Sequence, residues 1–122
     1  MARVVHFELP ADDPERAAGF YRDAFGWNTE SWGEPPEYWL VSTGEPDTPG
    51  IDGAIFKRQP DLDAPVGMLD VASLDDAIAA VRAAGGRIVR ERQAVPGVGW
   101  LAYFRDPEGN VLGMMEADEG AS

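Results

Sequence analysis

Residues 4–9 alternate and are rich in β-branched side chains, the pattern of a half-buried strand. Asp12 and Asp13 then offer a carboxylate to cap a helix, and Pro14 fits its first turn, where a missing N–H costs nothing. The spacing predicts a helix over residues 14–24. Ala17, Phe20, Tyr21 and Ala24 fall at i, i+3, i+4 and i+7 as its buried stripe, and Gly26 is placed to end it in a left-handed conformation.

The same order returns in the second half. A strand is predicted over residues 66–71, Ser73 is a cap, and a helix follows through Ala77, Ile78, Val81 and Ala84 to Gly85 and Gly86. Landmarks of the two halves stand 60 residues apart: His6 over Val66, Asp13 over Ser73, Arg22 over Arg82, Gly26 over Gly86 and residues 51–55 over 111–115. Agreement of caps, helix ends and a late strand at one offset marks an internal repeat. Each copy has room for two further strands, over 27–32 and 38–43 in the first and 87–93 and 100–104 in the second, and residues 105–110 form the turn into the last strand. The predicted fold class is therefore α+β, two tandem βαβββ units in one domain over residues 1–122. Unit one covers 3–56, a proline-bearing charged linker 57–65 and unit two 66–116, and 117–122 form a flexible tail. Pro35, Pro36 and the segment 44–50 read as loops at the rim of the domain.

At 122 residues, with 44% hydrophobic and 26% charged side chains, the chain is long enough for one core. A formal charge of −12 repels nucleic-acid backbones and anionic membranes and favours cationic small molecules. There is no cysteine, hence neither a disulfide nor a thiol nucleophile, and no long apolar run or leader-like segment; the expected location is the cytoplasm.

The stretch from His6 through Ala17, with Phe20, Tyr21, Phe25, Gly26 and Trp27, resembles the opening of glyoxalase-related proteins of the vicinal oxygen chelate superfamily, which includes bleomycin-resistance proteins and dioxygenases. Residues 104–110, Phe-Arg-Asp-Pro-Glu-Gly-Asn, resemble their closing turn. The resemblance spans nearly the whole chain. It implies that the two units curl into an eight-stranded cup with helices outside, that the cup holds a small molecule, and that the protein is a homodimer.

Metal-dependent members of this superfamily take one ligand from the first and one from the last strand of each unit, His or Gln on the first and Glu on the last. His6 matches the first position, while its partner Val66 carries no lone pair. At the last-strand positions stand Gly53 and Gly113, so three of the four positions lack a donor. No metal is expected, with His6 as its one ligand if any; the alternative is a divalent ion such as Zn, Ni, Mn or Fe at a displaced site. Glu8, two residues along the strand from His6, shares its face and is the nearest substitute acid. Glu116 falls on the opposite face from Gly113 and Met115.

The candidate ligand-binding residues are His6, Glu8, Tyr38, Leu40, Gly53, Trp100, Gly113 and Met115. Tyr38, Leu40 and Trp100 form the wall, Trp100 lying over Leu40 by the repeat offset. Gly53 and Gly113 either admit a ligand close to the backbone or bend the sheet. Two functions of different class fit this set. One is a metal-independent binding protein, antibiotic-sequestering or carrier-like, for an aromatic or cationic compound. The other is a glyoxalase-related lyase, isomerase or dioxygenase-like enzyme with His6 and Glu8 as catalytic residues.

Overall fold

A computed structural model describes residues 1–32 and 38–122; Pro35 and Pro36 lie outside the described residues. Eight strands and two helices follow in the predicted order: β1 (Arg3–Ala11), α1 (Pro14–Phe25), β2 (Asn28–Trp32), β3 (Tyr38–Ser42), β4 (Asp52–Lys57), β5 (Val66–Asp70), α2 (Leu74–Ala83), β6 (Arg87–Val95), β7 (Gly99–Arg105) and β8 (Val111–Ala117). The chain is α+β and reads βαβββ twice. It divides into two compact units, His6–Val66 and Met1–Val5 with Gly67–Ser122, so the start of β1 goes with the second half and the linker with the first. No helix among the described residues is long and apolar enough to cross a membrane.

In the first unit the strands lie in the order β2-β3-β4-β1, with β1 parallel to β4 and the other neighbours antiparallel. Asp13 caps α1 by accepting from the Arg16 N–H at 3.1 Å, and Gly26, at φ 73°, closes it with its N–H on the Arg22 carbonyl. One face of the sheet packs on α1 through Phe7, Leu9, Ala11, Trp39, Val41 and Ile55. The helix meets it with Pro14, Ala17, Ala18 and Tyr21. The buried stripe is thus one step of the i, i+3, i+4, i+7 pattern earlier than predicted. Phe20 is 59% exposed and Ala24 is also outside, because the small Ala17 and Ala18 side chains let the helix lie close to the sheet. Phe20 instead packs edge-on against Tyr21 and Phe25 at the surface. The linker is tied to this unit through the Arg58 N–H on Ala11, the Arg58–Asp12 ion pair and buried Leu62.

The second unit has the order β5-β8-β7-β6, with β5 parallel to β8. Ser73 caps α2 by accepting from the Asp76 N–H at 3.2 Å, and the Glu116 carboxylate accepts from the Leu74 N–H at 2.7 Å. Leu74, Ile78, Ala102 and Met114 form the core between helix and sheet. The turn into β8 is built as predicted: Asp106 accepts from the N–H groups of Glu108 and Asn110, and Gly109 takes φ 88°. The tail is not loose. Ala121 is buried, its carbonyl accepts from Gly97, and Asp118 donates its N–H to Val98, so the last residues close over the β6–β7 turn.

Candidate functional site

Strand alternation sorts the first unit's side chains onto two faces. Phe7, Leu9, Val41 and Ile55 turn to α1; His6, Glu8, Leu40 and Ala54 turn away from it. The register then sets this open face in cross-strand rows. His6 pairs with Asp52 and Asn28 with Ser42. In the next row, Glu30 pairs with Leu40, Leu40 with Ala54, and Ala54 with Glu8. The third row runs Trp32, Tyr38, Phe56 and Pro10. An open groove of about 570 Å³ follows the first two rows, with His6, Asn28, Glu30, Leu40, Ser42 and Asp52 on its walls.

Burial holds the His6 imidazolium below its ordinary range, against the pull of the Glu8 and Asp52 carboxylates. The imidazole is therefore a neutral base at the groove. Glu8 is only 5% exposed and accepts from the Tyr38 hydroxyl at 3.3 Å. Burial first, then the Glu8 charge and this hydrogen bond, push the Tyr38 phenol above its usual range, so it stays protonated as a donor. Asp52 accepts from the Thr43 N–H at 2.9 Å, which orients its carboxylate. Among the described residues, no Lys or Arg side chain lies on this face of β1 to β4.

The structure brings His6, Glu8, Tyr38 and Leu40 together on this face, and Gly53 lines the groove beside His6 although its Cβ direction is the α1-facing one. Gly53 shares the α1-facing side with Ile55, where a Cβ would lie 2.6 Å from the Phe7 ring. In the second unit, Gly113 and Met115 share the face turned away from α2 with Met68, Leu101 and Tyr103. Trp100 is on the other side, packed with Leu74 and Phe104. Its indole N–H donates to Asp118 at 2.9 Å and Arg92 stacks 4.3 Å from its ring centre. Trp100 thus does not occupy the place of Leu40.

One slipped residue explains why Gly53 and Gly113 face opposite ways. In the first unit the left-handed glycine after the helix is Gly26; in the second it is Gly85, not the offset partner Gly86. The second copy is one residue shorter from cap to helix end, and the last strand shifts by one with it, which reverses its facing. Glu8 pairs with Ala54, whereas Met68 pairs with Gly113, so Ala54 and not Gly53 is the counterpart of Gly113. Tyr103, paired with Gly113 as Leu40 is with Ala54, takes the place assigned to Trp100, because the connection from β7 to β8 is four residues shorter than that from β3 to β4.

The sequence matches the glyoxalase/bleomycin resistance protein/dioxygenase superfamily over residues 3–114. The chain belongs to that family. Among curated proteins, none matches it. The fold of this family member is similar to solved structures over nearly its whole length. Methylmalonyl-CoA epimerase from Mycobacterium tuberculosis superposes with a TM-score of 0.68 at 15% identity, over 93% of this chain and 87% of that one. A Streptomyces coelicolor methylmalonyl-CoA epimerase variant in complex with 2-nitronate-propionyl-CoA gives 0.67 at 16% identity, over 98% and 97%. A glyoxalase/bleomycin resistance protein/dioxygenase superfamily member from Vibrio splendidus 12B01 gives 0.66 at 17% identity, over 97% and 100%. At these identities the likeness is one of fold.

With this register, the metal-ligand positions carry His6 and, in place of the Gly53 read from the sequence, Ala54 on the first unit's strands, and Val66 and Gly113 at the corresponding places of the second. Ala54 and Val66 are buried hydrocarbons, and the space a side chain at 113 would fill is taken by the Met68 thioether, 2.5 Å from a Cβ built there. Among the described residues no three His, Cys, Asp or Glu side chains are grouped to hold a metal ion. These residues do not fit the divalent-metal set.

Proposed function

We propose that this family member binds a small aromatic or cationic molecule without a metal ion, as a sequestering or carrier-like protein, and that it works as a homodimer in the cytoplasm. The observation that carries the reading is the donor set: a single imidazole, with hydrocarbon or filled space at the other three ligand positions. The groove beside His6 supplies a hollow with carboxylates on its walls and, among the described residues of β1 to β4, no Lys or Arg on the same face. Calorimetry on chelator-treated protein tests it, together with tryptophan quenching by a panel of cationic aromatic dyes. Ni, Zn and Mn are expected to give no stoichiometric heat, and some dyes to quench saturably. Tight uptake of one metal per chain, lost in His6→Ala, would overturn the proposal.

The position of His6 favours a second reading. A half-buried neutral imidazole at the edge of a groove, with Asp52 paired to it across β1 and β4 and Glu8 on its own strand, is suited to take a proton from a carbonyl compound. The acidic face disfavours phosphate-bearing substrates. Exchange of the α-proton of acetoin in deuterated water, followed by NMR, is the test. Exchange that is lost in His6→Ala supports this second reading, and a rate equal to buffer excludes acetoin chemistry.

A further inference from the structure

The three rows of the first unit's open face differ in chemistry in a fixed order along the strands. At one end Trp32, 47% exposed, sets its ring 5.6 Å from that of Tyr38 in an edge-to-face pair, with Leu40 exposed beside them. At the other end Asp52 lies beside His6 and across from Ser42 and Asn28. Rows of like-facing residues are two positions apart, and the end rows are four apart, Trp32 to Asn28 on β2 and Phe56 to Asp52 on β4. At the rise of a strand, that separates the aromatic end from the Asp52 end by about 13 Å. The middle row adds the Glu30 carboxylate at the groove wall.

We infer that this face is an oriented site for an elongated organic cation, with an aromatic ring against Trp32 and Tyr38 and a protonated nitrogen at Asp52 about 13 Å further along the strand direction. The inference rests on the metal-free binding reading and adds a direction, a length and a charge sign to it. A ring meets the edge-to-face pair without displacing buried groups, since Trp32 and Leu40 are already open and the Tyr38 hydroxyl is held by Glu8. A cationic head meets Asp52, whose carboxylate Thr43 already orients, and Glu30 lies on the path between. A carboxylate head in the same place would face Glu30 and Asp52 with no basic side chain on these strands to receive it. Trp32 is thus a specificity residue, and sits on the edge strand β2, where no helix competes for its ring.

Three probes that share a ring and a six-carbon spacer test this by calorimetry: 6-phenylhexylamine, 6-phenylhexanol and 6-phenylhexanoate, with benzylamine as the short control. The amine is expected to bind most tightly and the carboxylate not measurably, and benzylamine, which cannot reach both ends, more weakly than the long amine. Asp52→Asn keeps the oxygen that accepts from Thr43 and so keeps the loop; it should weaken the long amine roughly three- to five-fold and leave the alcohol unchanged. Trp32→Ala should weaken amine and alcohol alike by about five-fold. Equal binding of amine and carboxylate, a long amine indifferent to Trp32→Ala, or no binding of any of the three probes by protein that the dye panel quenches would each overturn the oriented-cation site. All three outcomes leave the metal-free reading standing, because that reading falls on metal uptake.

Discussion

His6 is the only histidine in the chain, and its surroundings decide what it can do. In the unfolded chain it titrates near 6.5, while in the folded protein burial lowers that value despite Glu8 and Asp52. Between the two, the unfolded state binds the proton more readily, so stability rises with pH through this window and is lost as the solution is acidified below 6.5. Urea midpoints at about pH 7.5 and about pH 5.5 check this, with His6→Gln as the reference, since the carboxylates titrate in both proteins. The wild type should lose more stability on acidification than the variant; parallel losses would show that the imidazole is not held neutral by burial. That His6 and Glu8 share a face was legible from their spacing alone. That Glu8 is buried under the Tyr38 hydroxyl was not, because the two stand thirty positions apart and only the β1, β4 and β3 register brings them together. Trp32 was one aromatic among several in the sequence, and its exposure is a property of the edge strand it occupies.

At the scale of elements, the caps behaved as written in the chain: Asp13 and Ser73 start the helices, and the Asp106 turn leads into β8. Register was harder. The repeat offset holds from the first strands to the caps, and fails by one residue where α2 ends early, after which Gly53 and Gly113 face opposite sides of their sheets. The two glycines should therefore answer differently to a methyl group. At Gly53 the added Cβ meets the Phe7 ring at 2.6 Å and, closer still, the Phe7 backbone oxygen, neither of which can retreat without moving β1. Gly53→Ala should cost about 2 kcal/mol, which lowers the midpoint of thermal unfolding by roughly 4 °C per kcal/mol. At Gly113 the nearest atoms are the flexible end of Met68, so Gly113→Ala should cost less than about 1 kcal/mol. Calorimetric melting of the two variants checks this, and a larger loss at Gly113 would contradict the assigned faces. A single-residue deletion leaves composition and hydrophobic pattern almost untouched, which is why the slip could not be seen in the repeat itself.

For the whole molecule, 22 acidic against 10 basic side chains make self-repulsion a standing term in stability. The ion pairs Arg58–Asp12, Arg82–Glu91 and Arg92–Asp75, among the described residues, are largely exposed and offset little of it. Raising sodium chloride from low ionic strength to about 0.5 M should raise the thermal midpoint by a few degrees by screening that repulsion; a midpoint that falls would mean that the exposed pairs outweigh it. Each unit has its own core around its own helix, so the repeat accounts for both halves of the apolar framework.

By itself the sequence determined the βαβββ repeat, the helix starts, the final turn and the acidic character, because these depend on local pattern and on residue types that no fold can change. The tertiary structure alone decided which side of each strand a residue faces after the helices, that Tyr103 and not Trp100 corresponds to Leu40, that Trp32 stays open and that the tail is pinned at Ala121. Facing inverts with every single residue of register, and register is set by where a helix stops and what packs against it, a balance of contacts between positions far apart in the chain.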